Sequence, residues 1–463
     1  MDSHAHALEY VSGLVEWYWY IVIFLVGIVL VAVFEQRWRW NKVIIGVAIV
    51  AALTFLVTRN NSWQTYWDTA ASINALAALT FLFVMFYIYE YGGHCVLHSG
   101  LAEWIATRWW MRRNFNKKLL WVTWVGSAVL DNVAMGKAAK KIAQEYYGSK
   151  EIPRDLSIGI IAASNAGGAW SPIGDTTTIM IALQVLLKLP FWWGILIVWL
   201  AFPASLLYQI LLTLFLKEGT TERLPIDAEI AKPIPRVKKL ELLPLLAIPG
   251  LVAGILSNFV LDERYQTLKE FAPTLGLLGG FILGIVIGKV SELFTQRPFR
   301  VHWGVFGETE LAINTGFILQ IVYAAHLLPI MLLAQKMASA PGFWLFSSQD
   351  VFIAGVTGTS PLLDNIPLVQ CVILMGGFLW HRVALGAGVG GSMFWLGSSC
   401  GVNVTMPEHG QTHNPARELS TWLGRGGWTY KLLLITVIAF TFDVVLYNYF
   451  LADFTAWIIT LQP

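Results

Sequence analysis

The sequence has 463 residues, 56% of them apolar and 13% charged, against about 25% charged in an ordinary soluble domain. With a mean hydropathy of +0.60, a chain of this size cannot cover itself in polar groups, and lipid is the expected solvent for much of it. A formal charge of +2 carries no nucleic-acid footprint, and the 3 cysteines (Cys95, Cys371 and Cys400, with no CxxC spacing) suggest neither a disulfide framework nor a zinc site.

A helix needs about 20 apolar residues to cross the hydrocarbon. Ten such stretches are read, near 17–35, 43–58, 70–91, 156–187, 190–216, 242–261, 271–289, 309–333, 383–407 and 430–452. The opening MDSHAHALEY has no basic stretch and no small-residue cleavage site, so the first span is read as retained. Many of the 22 tryptophans suit the membrane interface. Short loops rich in Lys and Arg are expected in the cytoplasm. They include Arg37, Arg39 and Lys42; Arg108 to Lys118; Lys217 to Lys239; and Lys289 to Arg300. All fall on one side if every span crosses once, which leaves both termini outside.

Two apolar segments do not read as crossings. Basic residues flank the first on both sides, Lys117 and Lys118 before it and Lys137, Lys140 and Lys141 after it. The second has the same shape from the other face. Each carries an Asp-Asn pair at its middle, Asp131-Asn132 and Asp364-Asn365. Both are read as re-entrant hairpins, near 119–147 and 350–381. Such backbone is tolerated at membrane depth only where protein or a wet cavity surrounds it.

The two halves echo each other. DTAASIN (68–74) matches ETELAIN (308–314), VLDNVAM (129–135) matches LLDNIPL (362–368), and a glycine-rich break at 164–175 matches another at 388–401. The expected fold is an all-α polytopic membrane protein with about ten transmembrane helices in two inverted five-span repeats. Residues 1–216 form the first repeat, 217–241 a cytoplasmic linker and 242–463 the second. Each repeat has a hairpin and a broken helix, the latter at about 156–187 and 383–407. Inverted repeats with discontinuous helices mark secondary transporters, whose site lies near the midplane.

The breaks carry the chemistry. In IIAASNAGGAWSPIGDTTTIMIAL, Gly167, Gly168, Pro172 and Gly174 interrupt the helix beside Ser164, Asn165, Ser171, Asp175 and Thr176 to Thr178. ALGAGVGGSMFWLGSSCGVNVTM offers Ser392, Ser398, Ser399 and Asn403. Hydroxyls, amides, carboxylates and exposed carbonyls in a low-dielectric pocket are what a small hard cation requires. Asp131, Asp175 and Asp364 are placed inside the membrane, where burial disfavours a carboxylate's charged form and a bound cation restores it. Cation and proton then compete for one site. The plainer alternative is helix capping, which Asp, Asn, Ser and Thr all perform. A cap need not ionise, however, and acids at membrane depth are costly where Asn or Ser would serve.

SNAGGAWSPIGDTTTIM strongly resembles the signature of the NhaD-type sodium/proton antiporters, in the ion transporter superfamily that also holds arsenite-pump and dicarboxylate carriers. LLDNIPLV resembles the matching motif of the second half. The resemblance implies exchange of Na⁺ or Li⁺ for H⁺, with no cofactor, in a homodimer whose protomers have a scaffold and a moving part. It places the ion site at Asp131, Asn132, Ser164, Asn165, Asp175, Asp364 and Asn365, with Ser398 and Ser399 matching more weakly; the reading of the break itself adds Thr176 as a candidate ligand. The expected location is a bacterial inner membrane, with lipid as the surroundings. Glu308, Glu310, Asn314 and His326 depart from the plainer helix the family leads one to expect.

Glu90 and Glu308 are candidate proton-path acids. His94 and His98 share a helix face and are candidates for pH sensing, as His409 and His413 are less clearly; interfacial polar groups are the plainer reading of both pairs. A dicarboxylate carrier would want compensating cations, and intramembrane Lys and Arg look scarce. A di-metal oxidase would need more than two HxxxH pairs.

Overall fold

The computed structural model describes residues 73–111, 113–149, 151–184, 197–216, 237–257, 260–261, 263–295, 298–301, 342, 345–361, 365, 368–369, 372–373, 379–395, 397–405 and 414–461. The spans read at 17–35, 43–58 and 309–333, together with Asp364, Glu308, His409 and His413, lie outside the described residues.

The described elements are helical. In chain order they are α1 (Ile73–His98), α2 (Leu101–Ala106), α3 (Phe115–Ser127), α4 (Asn132–Tyr147), α5 (Arg154–Ala169), α6 (Thr176–Gln184) and α7 (Phe202–Phe215). There follow α8 (Ala247–Ser257), α9 (Gln266–Thr295), α10 (Ser348–Thr359), α11 (Trp380–Gly391), α12 (Ser399–Thr405), α13 (Leu419–Leu423), α14 (Trp428–Val445) and α15 (Ala452–Leu461). A 3₁₀ run, Lys239–Leu246, leads into α8, and a π-turn, Leu446–Phe450, follows α14. Among the described residues, four stretches are long and apolar enough to cross a membrane: Ile197–Phe215, Lys239–Ser257, Thr267–Thr295 and Trp428–Phe450. This is an integral membrane protein.

The 30 residues of α9 measure about 45 Å at 1.5 Å per residue. That exceeds a hydrocarbon core of about 30 Å, so α9 must tilt or project beyond it. Its exposed face is Leu275, Leu278, Ile282, Leu283 and Val286, an outer surface suited to acyl chains. Its other face packs on α8 and the 3₁₀ run through glycines. A Cβ on Gly280 would overlap the Leu246 carbonyl and lie 3.0 Å from Gly250 Cα. Such backbone proximity is how helices associate where lipid removes the hydrophobic drive.

At the centre lie α5 and α11, which pack against each other. All of α11 is buried, as is α5 from Leu156 onward. Neither is long enough to span alone: the 16 residues of α5 cover about 24 Å. Each stops at a glycine-rich break and resumes, as α6 or α12. The hairpin of the first half is α3 and α4, broken at 128–131 before Asp131 caps α4.

The same corner is built at both breaks. Ser127 Oγ donates to the Ser164 carbonyl at 2.6 Å, and Ser360 Oγ to the Ala387 carbonyl at 2.9 Å. A Cβ on Gly174 would lie 2.6 Å from the Ser127 carbonyl oxygen, and one on Gly397 2.9 Å from that of Ser360. Gly167 faces the Trp124 carbonyl as Gly390 faces that of Thr357. These pairs follow the order and spacing of the echoed segments.

Gly280→Val should separate α8 from α9 and lower stability by about 1–3 kcal/mol, the usual cost of overpacking. Gly279→Val, whose Cβ meets nothing within 4 Å, should not. Thermal unfolding in detergent compares the two.

Candidate ion site at the helix breaks

The site is built from helix ends that lack helical partners for their N–H and C=O groups. Asp131, with φ −50° and ψ 147°, caps α4: its Oδ2 accepts from Val133 N at 3.0 Å. Its Oδ1 accepts from Thr176 Oγ1 at 3.3 Å, which joins the hairpin apex to the start of α6. Asp175 performs the same service for α6, its Oδ1 accepting from Thr177 N at 3.2 Å. The capping reading is therefore correct as geometry. Each carboxylate also has an oxygen turned to another element, which a cap alone does not require.

Two amides join these ends. Asn132 Nδ2 donates to Asp175 Oδ2 at 3.1 Å and to Asn165 Oδ1 at 3.0 Å. Asn165 Nδ2 in turn donates to Ser392 Oγ at 3.1 Å and Ser398 Oγ at 2.9 Å. One side chain on α5 thus links the first-half acids to the second-half break. Ser164 Oγ donates to the Asn132 carbonyl at 2.5 Å, and Ser398 Oγ accepts from Gly401 N at 3.1 Å. Asp131, Asn132, Ser164, Asn165, Asp175, Thr176 and Ser398 form this one network, all of them buried. The oxygens suit a hard cation or a proton.

Asn365 is buried but sits at the second corner, its Oδ1 accepting from Ser360 Oγ at 2.6 Å. Ser399 opens α12. Glu90 lies within α1. His94 and His98 are one turn apart on α1, with ring centroids separated by 5.9 Å. Among the described residues no group of three His, Cys, Asp or Glu could hold a metal together.

Sequence reasoning missed Ser127 and Ser360, which tie the hairpins to the broken helices. Arg382, just outside the span read at 383–407, is 1% exposed on α11 and pairs with Asp350 and Asp443. Sequence reasoning did not anticipate this buried ion-pair cluster. Asp443, an acid within the apolar stretch FTFDVV, was the signal that could have shown it.

Together these features define a polytopic helical membrane protein with acid-bearing helix breaks at its centre. No family model matches the chain. It is 24% identical to a Na⁺/H⁺ antiporter NhaD of Vibrio cholerae over 73% of its own length and 72% of that protein's. It is 25% identical to the NhaD of Alkalimonas amylolytica over 64% of each chain. It is 26% identical to sodium/proton antiporter 1 of Arabidopsis thaliana over 62% of its length, spanning half of that relative. The chain is a relative of the NhaD-type sodium/proton antiporters.

Asn165→Leu should remove the three bonds that join α5 to Asn132, Ser392 and Ser398 while leaving each partner its other contact, to Asp175, Gly388 and Gly401, and should cost about 1–3 kcal/mol in all. A fall in the thermal midpoint well beyond that of a conservative core change would show it.

Proposed function

We propose that the chain is a secondary transporter exchanging Na⁺ or Li⁺ for H⁺. The observation that carries this reading is that two buried carboxylates cross-link the hairpin apex and the helix break, Asp175 accepting from the Asn132 amide and Asp131 from the Thr176 hydroxyl. A carboxylate pair in low dielectric does not comfortably hold two negative charges, so it takes up either protons or a cation. Under alternating access, that choice couples the two flows. The printed names of the NhaD and Arabidopsis relatives support the same exchange.

In this reading Asp131, Asp175 and Asp364 are the groups over which cation and proton compete. Asn132, Ser164, Asn165, Thr176, Asn365, Ser398 and Ser399 are neutral ligands or supports. The twice-built corner supports two repeats, which we take to be inverted, of five spans each, with both termini outside. The protein would reside in a bacterial inner membrane as a homodimer.

The decisive assay uses acid-loaded proteoliposomes containing a pH dye. External Na⁺ should alkalinise the lumen, and external K⁺ should not. Asp131→Asn, Asp175→Asn and Asp364→Asn should each abolish the signal while the protein stays monodisperse; retention in all three would refute the site. For topology, a cysteine at Gly148 should be labelled from the cytoplasm and one at Gly342 from outside. Labelling of both from one face would exclude inversion.

A further inference from the structure

A second buried polar cluster lies on α11 at the end away from the break. Arg382 and His381 are each 1% exposed, and Asp350 and Asp443 are 0%. Arg382 Nε donates to Asp443 Oδ2 at 2.8 Å, Nη2 donates to Asn448 Oδ1 at 2.9 Å, and Nη1 donates to Asp350 Oδ1. Asp350 Oδ2 also accepts from Ser347 N at 2.8 Å, Ser347 Oγ at 2.7 Å and Asn448 Nδ2 at 3.2 Å. The guanidinium fork thereby joins α10, α11, α14 and the π-turn. A planar group with several donors fixed in divergent directions, each reaching a different residue, is what Arg supplies and Lys does not.

Charge in the cluster does not balance through Arg382 alone, because two carboxylates face one guanidinium. His381 is the remaining partner: its Nε2 stands 3.3 Å from Asp443 Oδ2. Neither imidazole nitrogen, nor Asp443 Oδ1, has a hydrogen-bond partner among the described residues. The titratable or charged groups facing His381 among those residues are Asp443 from α14, Tyr447 from the π-turn and Arg382 beside it. Asp350 reaches the same cluster from α10. The Tyr447 ring lies 4.7 Å from the imidazole, and its hydroxyl donates to the Leu200 carbonyl at 2.7 Å. With His381 neutral, one buried carboxylate is uncompensated, a costly arrangement in low dielectric. With His381 protonated, the cluster is balanced.

The cluster is mechanically connected to the ion site. Arg382 lies on the first turn of α11, and Ser392, which accepts from Asn165, caps its other end. The separation is about 15 Å along the axis. Running beside α11, α10 carries Asp350 on its first turn and is followed by Ser360, whose hydroxyl holds Asn365 and the Ala387 carbonyl. Both helices are therefore fixed by the cluster at one end and meet a helix break at the other. The π-turn beneath the cluster is a form that commonly interrupts α-helices at functional places.

We propose that Asp350, Arg382, Asp443 and His381 form a proton-responsive clamp, with Arg382 as positioning residue and His381 as the group placed to balance the second carboxylate. The clamp sets the register of Ser392 and Asn365 against Asn165. Its effect on transport rests on the Na⁺/H⁺ reading; its response to protons does not.

The test has two arms, both on the full-length chain. In detergent, the thermal midpoint is followed against pH for the wild type and His381→Gln, which needs no transport. The variant should show a flatter curve, and superimposable curves would overturn the clamp. In proteoliposomes, His381→Gln should flatten the pH dependence of the Na⁺ KM. Arg382→Lys, which keeps the charge and loses the fork, should raise that KM about tenfold, with kcat less affected; couplings between linked buried groups commonly reach this size. A wild-type KM in Arg382→Lys would refute positioning. If wild-type liposomes show no Na⁺-dependent proton flux while the detergent curves still differ, the exchange reading fails and the clamp stands.

Discussion

Lipid cannot hydrogen-bond a peptide group, so a helix that breaks inside a membrane must have its freed ends satisfied by the protein itself. Much of the centre of this molecule follows from that constraint. Asp131 and Asp175 cap the helices that resume after each interruption in the first half. Ser127 and Ser360 satisfy carbonyls of the broken helices. Asn165 then draws the separate ends together. The acids stand where backbone need put a polar residue, and their charge is what exceeds that need.

The two breaks share a backbone plan but not a chemistry. At the position where the first carries Asp175, directly after Gly174, the second carries Ser398, directly after Gly397. Ser398 caps through its hydroxyl, which accepts from Gly401 N at 3.1 Å. A neutral residue is thus sufficient for capping, which sharpens the case that Asp175 is retained for its ionisation. The first break contributes charge and the second contributes hydroxyls, bridged by one amide. Buried polar networks of this kind are rigid when fully partnered, which holds the two breaks in one fixed arrangement.

The main features of the site were legible because they are local. The DN pairs at hairpin apices, the glycine-rich interruptions and the clustered hydroxyls can each be read from adjacent letters, and the structure joins Asp131, Asn132, Asn165 and Asp175 in one network. Cross-links between distant segments were less legible. Nothing near Asn165 in the chain announces Ser392 as its partner. Arg382 fell between two stretches because hydropathy windows end spans at charged residues, yet a pair of acids from other helices lets the guanidinium remain buried. Lengths also shifted: α9 runs well past the stretch read at 271–289, because a helix continues past the membrane boundary wherever its backbone bonds can be made.

The central claim is that a cation and a proton displace one another at these carboxylates. Proton release on Na⁺ addition tests it most directly, using purified protein in weakly buffered detergent solution with a pH indicator. Wild-type protein should release protons saturably with Na⁺ and not with K⁺, and a double Asp131→Asn, Asp175→Asn protein should release none. Saturable Na⁺ binding without any proton release, or release undiminished in the double variant, would contradict it.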